Sequence, residues 1–168
     1  MSTVHGMPKV ALLMGSDSDL DAVRGCITTL KGLEIECTAR VMSAHRTPDT
    51  VMAFARGARE AGYGVIIAAA GKAAHLAGVV AAHTTLPVIG IPVKSSLMDG
   101  LDSLLSTVQM PAGIPVATVA VNGAENAAYL AAQMLSLRHP ELVDALAAHR
   151  TRMAEGVAKA DAALSAKL

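Results

Sequence analysis

A chain of 168 residues that is 52% apolar can bury one substantial core, so a single domain is expected over residues 1–168. Lys plus Arg balances Asp plus Glu at 14 each, which leaves no basic face for nucleic acid or an anionic membrane surface. An aromatic content of 2% without Trp also argues against a base-stacking platform, and a small-molecule partner is expected instead.

Met1 to Pro8 lacks a basic stretch followed by a long apolar one, so no signal peptide is expected. From Val10 onward short apolar runs alternate with helical patterns, and each run stops at Gly, Ser, Pro or Asn. Val10 to Met14 reads as a buried strand, Asp19 to Leu30 as a helix, Ile35 to Val41 as a second strand and Asp49 to Ala61 as a second helix. A third strand over Val65 to Ala70 precedes a helix reaching His83, and a fourth over Val88 to Val93 precedes a helix from Leu97 to Val108. The fifth pair is Val116 to Val121 and Ala124 to Leu137. No apolar run can span a bilayer, since Val65 to Ala70 is soon interrupted by Gly71, Lys72 and His75, and a soluble, cytoplasmic protein is expected. Cys26 and Cys37 form no Cys-x-x-Cys pair and read as reduced packing thiols.

Near-continuous Val, Ile and Ala in the strands predicts cover on both faces, as in a parallel sheet between helix layers. The fold class expected is α/β, a three-layer flavodoxin-like domain with a five-stranded parallel sheet. An extra C-terminal helix follows Pro140, over 140–165, with Val143, Leu146, Met153, Val157, Ala160 and Leu164 falling mostly at steps of three, four or seven. At the chain end this face is expected to pack on a neighbouring subunit of a homo-oligomer, packing on its own subunit being the alternative.

In open parallel sheets ligands sit beyond the carboxyl ends of the strands, where the strand order reverses. Three loops qualify. The first, Gly15-Ser16-Asp17-Ser18-Asp19, offers hydroxyls to a phosphate from Ser16 and Ser18 and a ribose-hydroxyl acceptor in Asp19; equally, Ser18 or Asp19 could simply cap the next helix. It has no Gly-Lys-Ser/Thr, and no G-x-G-x-x-G occurs, so the nucleoside triphosphate and dinucleotide readings lose their best support. The second, Ser43-Ala44-His45-Arg46-Thr47-Pro48, brings a hydroxyl, an imidazole and a guanidinium within four residues, with Thr47 and Pro48 as N-cap and first helical position. Arg46 suits a bidentate phosphate contact, and His45 is the residue there that can give and take a proton near neutral pH.

The third loop, Gly71-Lys72-Ala73-Ala74-His75-Leu76, has small residues that let substrate approach backbone amides. Lys72 could pair with a carboxylate and His75 could donate a hydrogen bond, while the plainer roles are a solvated Lys72 and a loop-supporting His75. His45, His75 and His83 invite a metal reading, but no carboxylate or thiol joins them at ligand-like spacing and no metal is expected. His5, His139 and His149 lie in terminal or helical surroundings that need no chemistry.

Met-Gly-Ser-Asp-Ser-Asp from Met14, Ser-Ala-His-Arg-Thr-Pro from Ser43 and Ala-Gly-Lys-Ala-Ala-His-Leu from Ala70 resemble the class I N5-carboxyaminoimidazole ribonucleotide mutases, the catalytic part of phosphoribosylaminoimidazole carboxylase. Gly-Leu-Asp-Ser-Leu-Leu-Ser from Gly100 and Val-Gln-Met-Pro-Ala-Gly-Ile-Pro from Val108 extend the resemblance, which covers Val10 to Leu137. It implies an octamer with active sites at subunit junctions, no metal or organic cofactor, and a ribonucleotide substrate whose carboxyl group moves from the exocyclic amine to ring carbon four. Carried onto this chain, the resemblance gives Ser16, Asp19 and Arg46 to the ribose phosphate. It gives Ser43, Gly71, Ala73, Ala74, His75 and Leu76 to the imidazole and carboxylate pocket, and proton transfer to His45.

Two places depart from that pattern. Lys72 stands where the family usually has a second Gly, placing a cation beside the carboxylate pocket, and the Val121 to Asn126 segment is shorter than the usual Gly-Lys-Ala-Gly stretch. A carbon dioxide-dependent aminoimidazole ribonucleotide carboxylase of the related class II is the alternative on the same scaffold. Arg46, where those enzymes tend to have Lys, and the retained Ala-Ala-His-Leu favour the mutase. A non-catalytic ribonucleotide- or flavin-binding module is the alternative of another kind, disfavoured for flavin by the scarcity of aromatic side chains.

Overall fold

The computed structural model describes Gly6 and residues 9–168, so what was expected of residues 1–5, 7 and 8, His5 included, lies outside the described residues. Five parallel strands, β1 (Lys9–Met14), β2 (Cys37–Val41), β3 (Tyr63–Gly71), β4 (Val88–Val93) and β5 (Ala117–Thr118), pair in the order β2-β1-β3-β4-β5. This is the flavodoxin-like order, with its switch point between β1 and β3. Between the strands run α1 (Leu20–Gly32), α2 (Pro48–Gly57), α3 (Leu76–Ala81) and α4 (Leu101–Val108); α5 (Ala124–Ser136) and α6 (Glu141–Ser165) follow β5.

Strand alternation divides the core in two. Val10, Leu12, Val65 and Ile67 face α1 and α5, while Ala11, Leu13, Ile66 and Ala68 face the side of α2 and α3. Both faces of the central strands are thus apolar, which is why β1, β3 and β4 read as continuous hydrophobic runs. Cys26 lies in the first core as a packing residue, and burial pushes its thiol up to about 12 and that of Cys37 to about 11.

Several elements differ from the sequence pattern, each for a local reason. β2 begins at Cys37 because α1 ends in a Schellman motif: Glu34 takes φ 58° and donates to Lys31 O, while Ile35 N–H donates to Leu30 O at 2.9 Å. Ile35 therefore packs with the helix end. β2 is also an edge strand, and its Val41 is 54% exposed rather than covered on both faces. α2 stops at Gly57 and α3 at Ala81, short of Ala61 and His83, the chain continuing in turns.

α4 starts at Leu101, four residues later than Leu97, because Asp99 (φ 57°) and Gly100 (φ 103°) are left-handed in succession and cannot continue a helix. β5 pairs with β4 only at Ala117 and Thr118; beyond them single bonds persist from Val119 N–H to Gly90 O and from Asn122 N–H to Pro92 O.

The first half of α6 packs on its own subunit. Leu142 is buried in the α1/α5 core, Leu146 lies against it, and His149 stacks on Tyr129 of α5 with Nδ1 3.0 Å from the phenol oxygen. His149, unremarkable in the sequence, thus pins two helices together. From Arg150 onward α6 is exposed, including Met153, Val157 and Leu164. No helix among the described residues is long and apolar enough to cross a membrane.

Candidate active site

The loops after β1, β2 and β3 meet in one cleft of about 600 Å³ over the switch point. Each loop is shaped by its own hydrogen bonds before any ligand is considered. In the first, Ser16 caps a 3-10 turn over Asp17–Asp19, its Oγ accepting from Ser18 N–H at 3.3 Å and Ser18 Oγ–H at 2.9 Å. Asp19 occupies the N-cap position of α1 but makes no side-chain cap bond to it, and Ser16 caps only the 3-10 turn that precedes that helix. Burial raises the Asp19 carboxyl above its usual range, against a lowering hydrogen bond from the Ser16 backbone and with a further rise from the Asp17 charge.

In the second loop, Ser43 Oγ accepts from the backbone N–H of His45 at 3.3 Å and of Arg46 at 3.2 Å. Thr47 Oγ1 donates to Ser43 O and accepts from Ser43 N–H, closing the turn, while Pro48 opens α2 as its first residue. Thr47 occupies the N-cap position but spends its hydroxyl on Ser43, so that its side chain makes no cap bond to the helix. Arg46 leaves this turn to donate from Nη2 to Gly15 O at 2.7 Å, joining the second loop to the first.

His45 reaches the other way. Its Nε2 lies 2.9 Å from His75 Nδ1, with the rings edge-on at 85° and their centroids 5.0 Å apart. Two imidazole nitrogens at that distance share one hydrogen, so the contact holds the two rings together and couples their tautomers, one nitrogen donating and the other accepting.

The third loop turns sharply, Ala74 N–H donating to Lys72 O and His75 N–H to Ala73 O, both at 2.9 Å. Gly71, Lys72, Ala73 and Leu76 line the cleft. Ala74 is instead buried in the core, where Thr107 Oγ1 sits 3.5 Å from its carbonyl, and His75 meets the cleft through His45. His83 is far from this group: it lines a separate cleft of about 900 Å³ with Arg56, Arg59 and Pro87, at the amino ends of the strands. The His45–His75–His83 grouping does not exist, and no cluster of three His, Cys, Asp or Glu suited to a metal occurs among the described residues.

A fourth wall, Lys94, Ser95 and Ser96 after β4, was not anticipated. The switch-point rule applies to the β4 loop too, and its signal in the sequence is the polar Lys-Ser-Ser run just before the helix expected from Leu97. Ser95 Oγ is engaged by both Asp102 carboxylate oxygens at 2.8 Å, and Lys94 N–H donates to Asn122 Oδ1 at 2.9 Å.

The family described as AIR carboxylase matches residues 9–156 of this chain. The chain belongs to the AIR carboxylase family. It is 54% identical over 148 residues to the N5-carboxyaminoimidazole ribonucleotide mutase of Pyrococcus abyssi, covering 88% of this chain and 85% of that one. The mutase of Mycobacterium tuberculosis is 53% identical over 164 residues, 98% of this chain and 94% of its own length. The phosphoribosylaminoimidazole carboxylase of Schizosaccharomyces pombe is 50% identical across 88% of this chain, which spans 27% of that longer protein. Among solved structures, Treponema denticola PurE superposes with a TM-score of 0.82 at 30% identity, covering 92% of this chain and 97% of its own.

Lys72 in this cleft has φ 55°, a left-handed conformation that glycine adopts freely and that costs a side-chain-bearing residue about 1–3 kcal/mol.

Proposed function

We propose that this chain converts N5-carboxyaminoimidazole ribonucleotide to 4-carboxy-5-aminoimidazole ribonucleotide, an isomerase step of de novo purine synthesis in the cytoplasm. The observation that carries the reading is the convergence of His45, in contact with His75, with the Ser16 loop linked to Arg46 in one cleft over the switch point. The names of relatives more than 50% identical over most of the chain support it.

Ser16, Asp19 and Arg46 hold the ribose phosphate. Ser43 shapes the turn that presents His45 and Arg46, and the Gly71, Ala73 and Leu76 surface encloses the imidazole ring beside His75 and the Ala74 backbone. A carbamate loses carbon dioxide once its nitrogen is protonated, and His45 as imidazolium supplies that proton. The C–N bond breaks, leaving a neutral amine and free carbon dioxide. The small, partly apolar cleft keeps the gas beside ring carbon four, so recombination is effectively intramolecular. Carbon four attacks, a C–C bond forms, and neutral His45 takes the hydrogen from that carbon to restore aromaticity. One proton goes in and one comes out, so His45 ends as it began.

Two exposed apolar surfaces support a homo-oligomer, with an octamer as the assembly we propose. Leu101, Leu105 and Val108 form a stripe along α4, and Met153, Val157 and Leu164 continue along the uncovered half of α6. Light scattering on the purified chain should read eight subunits, and a stable monomer would contradict it.

The donor distinguishes this activity from carbon dioxide-dependent carboxylation on the same scaffold. Purified enzyme given the carbamate should form product at low bicarbonate, and efficient turnover only of free aminoimidazole ribonucleotide plus bicarbonate would overturn the mutase reading.

A further inference from the structure

β3 and β4 run in register with Gly71 opposite Val93, so Lys72 and Lys94 leave adjacent strands at the same level, and both line the cleft. Their charges are treated differently. Lys94 is neutralised by Asp99, with Nζ 2.6 Å from its carboxylate, whereas Lys72 pairs with no carboxylate among the described residues. Lys72 also holds its left-handed backbone at a cost that the smaller Gly would avoid. The left-handed turn thus sets an unpaired cation at the rim of the binding cleft, where an anionic group of a ligand could meet it.

The remaining charges say which ligand. Arg46 donates to Gly15 O and so stands over β1, beside Ser16, while Lys72 stands over β3 and β4. The cleft therefore carries two cations from different loops, Arg46 and Lys72, with the Asp19 carboxylate on the Ser16 loop and His45 reaching from the β2 loop to His75 of the β3 loop. A ligand with two separated anionic groups fits this arrangement better than one with a single phosphate.

We propose that Lys72 is a specificity-determining residue that binds the migrating carboxylate, so that the chain holds the carboxylated ribonucleotide in preference to the decarboxylated amine. This rests on the carboxyl-shift reading above. The contact is a charge-assisted hydrogen bond from an ammonium to a carboxylate oxygen, made with substrate and product alike and absent from the free ribonucleotide.

Calorimetric binding to the purified full chain tests it with two ligands, 4-carboxy-5-aminoimidazole ribonucleotide and aminoimidazole ribonucleotide. Lys72→Met keeps the strained backbone and removes only the charge; it should weaken the carboxylated ligand about 10- to 100-fold and the decarboxylated one less than about 2-fold. Lys72→Arg should keep most of the discrimination. Lys72→Gly should lose it while melting about 2–4 °C higher, because the left-handed backbone is relieved. Equal weakening of both ligands, unchanged affinity in Lys72→Met, or a lower melting temperature in Lys72→Gly would overturn the proposal. Wild-type enzyme that binds neither ribonucleotide would instead refute the carboxyl-shift reading, and this inference with it.

Discussion

His45→Asn is expected to lower turnover by about 10²–10⁴-fold while leaving the melting temperature nearly unchanged. The large effect follows from the double use of one ring, as acid toward the carbamate nitrogen and as base toward the hydrogen on ring carbon four. The small structural effect follows from position. His45 is exposed at the cleft, among the described residues its side chain bonds only His75, and the turn around it is held by Ser43 and Thr47. Asn keeps a polar group of moderate size at the site but cannot exchange a proton near neutral pH. Steady-state rates and a thermal melt on the same sample check both halves; near-normal turnover would remove His45 from the proton-transfer role.

A large loss of stability is expected from Gly90→Ala. Gly90 lies inside β4, and a Cβ there would overlap Thr107 Cγ2 and stand 3.0 Å from Val116 Cγ1 and 3.4 Å from Ala77. Thr107 cannot easily retreat, being fully buried with its Oγ1 donating to Ser103 O at 2.7 Å. α4 approaches the sheet here because this strand position has no side chain. Overpacking of this kind costs about 1–3 kcal/mol and pushes α4 outward. The same displacement would reach the active-site loop, since Thr107 also contacts Ala74 O and Ser106 contacts Lys72 O. Urea midpoints should fall for Gly90→Ala and recover in part when Thr107→Ser removes the obstructing methyl. Equal midpoints for wild type and Gly90→Ala would show that the helix yields without cost.

The sheet was legible in the sequence because β1, β3 and β4 are covered on both sides and must be apolar at successive positions. The edges were less so. β2 and β5 have one neighbour each, so exposed residues such as Val41 and the short Ala117–Thr118 ladder obey a weaker pattern. Element ends were set by left-handed residues that carry no Gly signal, namely Glu34 and Asp99, and helical periodicity does not reveal these.

At the site, the switch-point rule and residue chemistry located Ser16, Asp19, His45, Arg46 and Lys72 in one cleft. What they did not reveal was which polar groups are spent internally. Ser43 orients two backbone amides, Ala74 turns into the core, and Ser95 is committed to Asp102. Nor did spacing along the chain reveal that His45 and His75, thirty residues apart, share a hydrogen bond, or that His83 lies at the opposite end of the strands.

Carboxyl transfer without release of carbon dioxide to solution is most directly tested by following the carbon itself. The carbamate should be converted by purified enzyme in a buffer saturated with ¹³C-bicarbonate, and the product carboxylate read by mass spectrometry at early times. Carbon dioxide held beside ring carbon four predicts product carrying mainly the unlabelled carboxyl group of the substrate. Product labelled to the level of the bicarbonate pool would show that the gas escapes and returns from solution, and would contradict the mutase.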